Sequence, residues 1–313
     1  MQHWRHNTCE ALMSEIEVGL LWHTLAARFV HMNSCSRYVQ LLANHGVRSG
    51  GSLPHPLSQL LGLPVVPGEQ LELFSVALNY WRHHEKRCVF EDILSKTLSH
   101  VGDGANGDRV LMQNEHMVAF VPHAQERKNE MWIMPRRQCH SFAEVTKEEV
   151  GALALACRSC LKMLYACLDD PDYNILMRTS PANTSDQLGD EHTEPMALWY
   201  RWHLVIIPHD NEWAWGGIKG LGGFTEVQGT PEQHAAELRE YSTTLLTTSS
   251  RLDEIDEQAP APVPEEQQPK ARSVRFDQVR QMYCLFRYFP GCTAKRSRGI
   301  SADWSYPLVW CAI

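Results

Sequence analysis

The hydrophobic residues near the start of the chain recur with the period of an amphipathic helix. Ser14 is followed three positions later by Glu17, a spacing that caps the start of a helix with two reciprocal hydrogen bonds. The pattern predicts that this helix continues to about Val30. Five apolar residues fall on the side that we expect to face the core: Ile16, Leu20, Leu21, Leu25 and Phe29.

The pattern beyond this helix alternates between strands and helices. Helices are predicted over about 70–86 and from Thr146, which has Glu149 at the capping-box position, to about Leu168. Runs rich in β-branched and aromatic residues predict strands at 38–43, 109–112, 117–121, 130–135, 173–177 and 202–207. The order predicts an α+β fold, in which antiparallel strands form a meander with one long helix packed across it.

The composition narrows the class of protein. The chain has 313 residues, of which 43% are hydrophobic and 21% charged, as in globular proteins of about two domains. Its formal net charge of -8 gives no electrostatic support to a nucleic-acid partner. No run approaches 18 apolar residues and residues 1–6 lack a hydrophobic signal core, so we expect no membrane span and no secretion.

The cysteines indicate a reducing compartment. The chain has 10 cysteines without the spacing of a secreted disulfide framework, so we expect a cytoplasmic location. Cys157 and Cys160 form one close pair inside a helical pattern. They are interpreted as small helix-packing residues, with a metal-binding pair as the alternative.

The C-terminal part of the chain differs in composition from the rest. Residues 246–271 are acidic and proline-rich, which predicts an extended linker. Residues 272–313 are basic and aromatic. They are expected to form a poorly ordered tail, with a small docking element as the alternative.

The loop between the first strand and the next apolar run contains the main candidate chemistry. Asn44 and Gly46 follow the strand, and Ser49 to Ser52 make a small-residue turn. Glycines let a backbone approach a ligand closely and expose its amides, which suits an anion. A structural glycine-rich turn is the alternative.

The order of residues in this loop resembles a known motif. The segments Asn44-His-Gly46, Ser52 and His55-Pro-Leu57-Ser-Gln59 are similar to the histidine motif of galactose-1-phosphate uridylyltransferases and ADP-glucose phosphorylases, of the histidine-triad superfamily. That motif reads Asn-x-Gly, a turn ending in Ser, and His-x-His-x-Gln. Further similar stretches give a resemblance over about residues 5–245, namely 88–94, 114–124, 130–137, 170–181, 202–208 and 216–239.

The resemblance implies both a fold and an activity. The expected fold is a histidine-triad-like antiparallel sheet with packed helices, made of a partial first repeat over 1–87 and a near-complete second repeat over 88–245. Family members exchange a nucleoside monophosphate between a sugar 1-phosphate and a nucleotide sugar, and the second histidine of the motif attacks the α-phosphorus. Leu57 stands at that position, so we expect catalysis to be impaired. His45 is the one neighbouring substitute, which we expect to face the strand-exit turn.

The resemblance also assigns binding residues. Asn44, Ser52 and Gln59 would contact phosphate oxygens, unless they serve as turn or capping residues. His6 and His55 match two of the four ligands of the family's structural zinc. The Cys-x-x-Cys pair that completes the site is not in the sequence, so zinc binding is left open with an incomplete site.

A second metal site, which some relatives have, is expected to be absent. Arg178 and Arg201 stand at two of its ligand positions and leave only His203. The two arginines are expected to be solvated on the sheet, with binding of an anionic ligand as the alternative.

Three functions follow from these observations. The first is an impaired nucleotidyltransferase homologue that keeps binding to a nucleotide sugar or sugar phosphate, with a homodimer left open. The second is a working enzyme whose missing strands lie outside this sequence. The third is a non-enzymatic interaction protein that uses the tail 272–313. Because the family's base-reading strands are missing, we expect a strand edge that the N-terminal tail or a partner covers, or a truncated gene model.

Overall fold

The computed structural model describes residues 9–51, 55–103, 107–182, 194–209, 227–241 and 309–312. Its helices and strands are, in chain order, α1 (Glu15–Asn33), β1 (Tyr38–His45), β2 (Ser58–Leu63), α2 (Gly68–His83), α3 (Val89–Ser99), β3 (Val110–Gln113), β4 (Met117–Phe120), β5 (Met131–Pro135), α4 (Lys147–Leu168), β6 (Asp172–Arg178), α5 (Met196–Trp199), β7 (His203–His209), α6 (residues 231–241) and β8 (Val309–Ala312). Short 3-10 turns occur at Glu10–Leu12 and Phe142–Glu144.

The described strands form one antiparallel sheet in the order β3-β4-β5-β7-β6-β1-β2-β8. The α+β prediction is therefore confirmed. The strands do not form a simple meander, because β7 lies between β5 and β6, and β6 pairs with β1 from the start of the chain. Strands from both predicted repeats share this sheet, and the division at residues 87 and 88 stays a prediction.

One face of the sheet is covered by α1 and α4. The capping box of α1 is present, since the Ser14 side chain accepts from the Glu17 amide. The buried residues of α1 are Val18, Trp22, Leu25, Ala26, Phe29 and Met32. The expected burial of Ile16 and Leu20 is wrong, because their side chains are 76% and 64% exposed. Leu25 and Phe29 are buried as predicted, and the buried stripe continues toward the N-terminus through Trp22 and Val18, because the large area of Trp22 favours its burial.

Helix α4 lies in the centre of the core. Its capping box is also present, between Thr146 and Glu149. Cys157 and Cys160 are fully buried on its inner side, and burial raises the pKa of the Cys160 thiol to about 12. These thiols therefore pack as small apolar groups. Among the described helices, α4 is the one long and apolar enough to cross a membrane, and half of its most apolar stretch is buried inside the protein.

The other face of the sheet is only half covered. Helices α2, α3 and α5 pack over the β3–β5 half through a cluster that includes Phe74, Phe90, Trp199 and Tyr200. The sequence pattern did not predict α3 or α5. Side chains of β1, β2 and β6 on this face are only partly buried, and we call this surface the open face: Gln40, Leu42, Asn44, Gln59, Leu61, Asn174 and Leu176.

Strand β2 pairs on its outer side with residues 309–312. These residues form β8, whose register places Val309 opposite Gly62 and Ala312 opposite Gln59. This short segment therefore differs from the expected poorly ordered tail. The linker and the rest of the predicted tail, through residue 308, lie outside the described residues.

Arg201 is buried rather than solvated, so the expectation of a solvated arginine is wrong here. Its side chain is 1% exposed. Its Nε donates to Gln138 Oε1 at 2.9 Å and its Nη1 to the Pro135 carbonyl at 3.0 Å, while Nη2 donates to a Glu91 carboxylate oxygen. These acceptors compensate for the loss of water around the charged guanidinium.

Glu10 is a second buried ionisable group, on the core side of β2. Glu10 is 3% exposed, and Ser58 Oγ donates to its Oε1 at 3.4 Å. Burial raises the pKa of Glu10 to about 7, against an ordinary value of 4.5. The carboxyl group is therefore held neutral in the core below about pH 7.

We expect the free energy of unfolding to depend on pH through Glu10. Since its folded pKa lies above its unfolded pKa, the folded state binds more protons between pH 4.5 and 7, and stability falls as pH rises across that window. The loss is about 3 kcal/mol at about 1.4 kcal/mol per pKa unit. Urea unfolding at pH 5 and 8 should show this loss in the wild type and not in Glu10→Gln. An equal loss in both proteins would contradict the assignment, and Glu115→Gln, at an exposed site, is the control.

We expect Arg201→Gln to destabilise the fold by about 1–3 kcal/mol, because it leaves buried carbonyls without their donor. Denaturant unfolding followed by tryptophan fluorescence measures the change. The matched control is Arg87→Gln, which removes an exposed arginine that pairs with Asp92 and should produce a much smaller loss. Equal losses of unfolding free energy in the two variants would show that the buried contacts of Arg201 do not stabilise the fold.

Candidate functional site

Strand pairing brings three of the predicted site positions together on the open face. Gln59 lies opposite Leu42 in the β1–β2 register, and successive residues of a strand project to opposite faces. Asn44 and Gln59 are therefore on the same side of the sheet, and both are partly buried. Continuing the register places Leu57 opposite Asn44. Leu57 is itself partly buried and directly precedes β2.

Two of the predicted site residues lie outside the described part of the chain. These are Ser52, in the turn, and His6, near the N-terminus. The described candidate zinc ligand is His55, which is exposed, with its Nδ1 3.1 Å from the Pro56 carbonyl oxygen. The roles assigned to all three residues stay predictions.

A side chain that the sequence did not point to holds Asn44 in place. Asn174 on β6 lies opposite Asn44, and its Nδ2 donates to Asn44 Oδ1 at 2.6 Å and to the Ser49 carbonyl at 2.9 Å. Its Oδ1 is 2.5 Å from His209 Nε2, which places the proton on that nitrogen. Because Asn44 Oδ1 is engaged, the amide Nδ2 of Asn44 is the group directed to donate to a ligand.

The sequence predicted that the turn glycines expose amides to an anion, but the structure shows them packed against other groups of the protein. Gly46 has φ of 82°, and a Cβ there would lie 1.9 Å from an Asp172 carboxylate oxygen. The other oxygen of Asp172 accepts from the Arg48 amide at 2.5 Å. The Gly51 amide donates to the Gly46 carbonyl at 2.8 Å. The amides of Arg48, Gly50 and Gly51 are therefore bonded within the protein, rather than exposed for an anion.

His45 points away from the candidate site. It pairs with Tyr173 across the strands and stacks on that ring with 4.8 Å between centroids. Its Nε2 is 2.8 Å from Asp170 Oδ1. Asn44, its neighbour in the strand, projects to the open face, so His45 lies on the opposite side of the sheet from Gln59.

The outer side of the turn is acidic. A shallow cavity of about 320 Å³ there is lined by Arg48, Leu168, Asp169, Asp170, Pro171, Asp172 and His209. The three aspartates outnumber the one arginine, so the local potential disfavours a phosphate. The donors suited to an anion are thus on the open face, around Asn44 and Gln59.

The three residues that the resemblance aligns with a second metal site make other contacts. His203 is 1% exposed and stacks on Trp132, and its Nδ1 donates to the Arg201 carbonyl at 3.1 Å. Burial lowers the pKa of His203 to about 4, so the ring is neutral. Arg178 pairs with Glu69 at 3.4 Å.

The described residues do not fit a metal site. No group of three His, Cys, Asp or Glu side chains that could hold a metal ion occurs among them. His203 donates its Nδ1 proton to the protein backbone, and Arg178 and Arg201 are cationic.

Comparisons with known proteins agree with the strand arrangement. No protein-family model matches the chain. It is 27% identical to an ADP-glucose phosphorylase from Arabidopsis thaliana over 213 residues, which are 66% of this chain and 53% of that protein. It is 24% identical to a galactose-1-phosphate uridylyltransferase from Thermotoga maritima over 65% of this chain and 60% of that protein. The chain thus spans little more than half the length of these curated relatives.

Solved structures show the same fold. A GalT-like protein from Arabidopsis thaliana superposes with a TM-score of 0.64 at 22% identity, over 75% of this chain and 72% of that one. An ADP-glucose phosphorylase from Arabidopsis thaliana, solved with bound ADP-glucose, gives 0.63 at 22% identity, over 75% and 70% of the two chains. The chain is therefore a homologue of the ADP-glucose phosphorylases and galactose-1-phosphate uridylyltransferases, and it has the fold that these proteins share.

Proposed function

We propose that the chain binds a nucleotide sugar or sugar phosphate on the open face and does not transfer the nucleotide through a covalent intermediate. The proposal is carried by the β1–β2 register, whose last pair is Ala43 with Ser58; continued by one residue, it puts Leu57 opposite Asn44 and on the same side as Gln59. The binding donors and the position of the missing nucleophile are thus adjacent. Homologues named for nucleotide sugars and sugar phosphates, one of them solved with ADP-glucose, support this ligand class.

The binding half of the proposal rests on the Asn44 amide. Asn174 donates to its oxygen at 2.6 Å, which fixes the orientation of the amide and reserves its Nδ2 as the donor for a ligand. Gln59 adds a second neutral amide on the adjacent strand. Neutral donors held in place by other hydrogen bonds stabilise phosphate oxygens without the cost of reorienting when the ligand arrives.

The second half of the proposal concerns the missing nucleophile. A leucine side chain has no lone pair, so Leu57 cannot form a bond to phosphorus. His45 is on the other side of the sheet, bonded to Asp170. His209 is on β7 near Asn174, but its Nε2 is committed to Asn174 and its Nδ1 is buried. Loss of a nucleophile that acts in a unit with its neighbours lowers rates on the order of a million-fold.

The alternative of an interaction protein that uses the tail 272–313 has less support. The described part of that segment is 309–312, and it pairs with β2 of the same chain.

We expect Leu57→His to restore formation of a nucleotidyl adduct. An imidazole nitrogen at this position would form a bond to the α-phosphorus of ADP-glucose or UDP-glucose, and glucose 1-phosphate would leave as the phosphoanhydride bond breaks. Intact-mass spectrometry after incubation, with acid treatment to release the nucleotide, measures the adduct. The wild type should show none.

The matched control is Leu61→His, which introduces a histidine on the same face of β2 but away from Asn44. An adduct in the wild type would overturn the proposed loss of covalent transfer. An adduct formed equally by Leu61→His would show that Leu57 does not mark the nucleophile position.

We expect Asn44→Asp to weaken binding of the nucleotide sugar at least tenfold with little change in melting temperature. An aspartate keeps the oxygen that accepts from Asn174 but replaces the amide donor with a negative charge, which repels phosphate. Isothermal titration calorimetry with ADP-glucose and UDP-glucose measures the affinity. Gln113→Glu is the control, because it adds the same charge at the far edge of the sheet and keeps its contact with Arg136. Equal affinities in Asn44→Asp and wild type would remove Asn44 from the binding site.

A further inference from the structure

A second cavity lies at the far end of the sheet from the open face. Its volume is about 560 Å³, within the range of sites for small molecules. Its walls come from α3, the start of β3, the turn after β4, β5 and α6, and its lining is Ile93, Lys96, His100, Gly107, Arg109, Pro122, His123, Ala124, Trp132 and Glu232. The strands β3–β5 lie on the other side of β7 and β6 from β1 and β2, so this cavity is separate from the candidate site.

A buried guanidinium forms the polar end of this cavity. The Arg109 side chain is 9% exposed. Its Nη2 donates to Thr97 Oγ1 at 3.2 Å and its Nη1 to the Val121 carbonyl at 3.4 Å, and its Nε is 3.5 Å from Glu232. An arginine has five N–H donors. Among the described residues these three contacts, none shorter than 3.2 Å, involve three of the five donors of Arg109, which is itself part of the cavity lining.

An aromatic ring in a fixed orientation forms the apolar wall. Trp132 on β5 donates from Nε1 to Glu130 Oε1 at 2.8 Å. It stacks on His203 with 4.7 Å between ring centroids and an interplanar angle of 26°. Ile93 and Pro122 complete the apolar lining beside it. A ring held on one side in this way offers the cavity a flat apolar surface at little entropic cost.

The charge of the rim favours an anion. Lys96 and Arg109 are cationic, and His100 and His123 add two imidazoles at the exposed mouth. Glu232 is the one carboxylate in the lining, and it already faces Arg109. His100 is also 3.0 Å from Asp103, just outside the lining. The positive charge of the lining is therefore carried by Lys96 and by Arg109, which shares its charge with Glu232.

We propose that this cavity binds a planar-ring monophosphate, of the chemical class of a nucleoside monophosphate. The phosphate lies against Arg109 and Lys96, whose donors match phosphate oxygens. The planar ring lies against Trp132 and Ile93. The proposal does not depend on the function proposed for the open face, because the two surfaces share no residue.

Isothermal titration calorimetry of the full chain with AMP and UMP tests the proposal, with adenosine and inorganic phosphate as the two separate halves of the ligand. We expect AMP or UMP to bind with Kd below about 1 mM and each half to bind at least tenfold more weakly. We expect Lys96→Gln to weaken nucleotide binding about tenfold, because it removes one charged contact to phosphate. Arg109→Gln should weaken it further, and a thermal melt of this variant checks that it is folded.

The matched control is Lys147→Gln, which removes the same charge from an exposed position at the start of α4 and should not change the affinity. The proposal is overturned by the absence of binding up to millimolar nucleotide, or by equal affinities in Lys96→Gln and Lys147→Gln. It is also overturned if Asn44→Asp weakens AMP binding while Lys96→Gln does not, since the nucleotide would then occupy the open face. Binding of phosphate as tight as that of AMP would assign the cavity to simple anions instead.

Discussion

The two-residue period of β1, β2 and β6 is the constraint on which both the core and the candidate site depend. Ser58 and Gln59 are neighbours in the chain, yet Ser58 meets Glu10 in the core and Gln59 faces outward. A register shift of one residue would exchange these two environments along the whole strand. The apolar contacts that hold α1 and α4 on the inner face therefore also fix which side chains reach a ligand on the outer face.

Within that register, the polar groups of the site are held by other polar groups rather than by apolar packing. Asn174 contacts β1 through Asn44, the turn through Ser49, and β7 through His209. The carboxylate of Asp172, on β6, lies against the turn and accepts a hydrogen bond from the Arg48 amide. The motif has thus kept an ordered framework, although the position that the resemblance assigns to its reactive group carries a hydrocarbon. This order is what the proposed binding of a ligand on the open face requires.

The parts of the fold that the sequence predicts are those decided by local contacts. The caps at Ser14 and Thr146 join residues three apart, and both helices begin where the capping boxes predict. The buried side of α1 is decided instead by which side chains fill the space under the sheet, so Ile16 and Leu20 were assigned to the wrong side. Short α3 and α5 lack such caps, and their helical form depends on packing over β3–β5.

The candidate site likewise contains residues that the sequence predicts and residues that only the tertiary fold reveals. The sequence motif predicts that Asn44, Leu57 and Gln59 belong to one site, because they are close in sequence. Asn174 is 130 positions from Asn44, and no periodicity connects the two residues. Arg201 was expected in solvent because an arginine on a strand usually lies there. The acceptors that bury it come from Glu91, Pro135 and Gln138, on elements that only the tertiary fold brings together.

The pairing of β2 with β8 has a consequence for how the protein is made. The two strands are about 250 residues apart in the chain, so their pairing has an entropic cost of loop closure. We therefore expect this pairing to form late in folding. During synthesis from the N-terminus, the outer amides and carbonyls of β2 stay unsatisfied until residues 309–312 have left the ribosome. In that interval the outer edge of β2 can pair with strands of other chains. We therefore expect the nascent protein to bind chaperones.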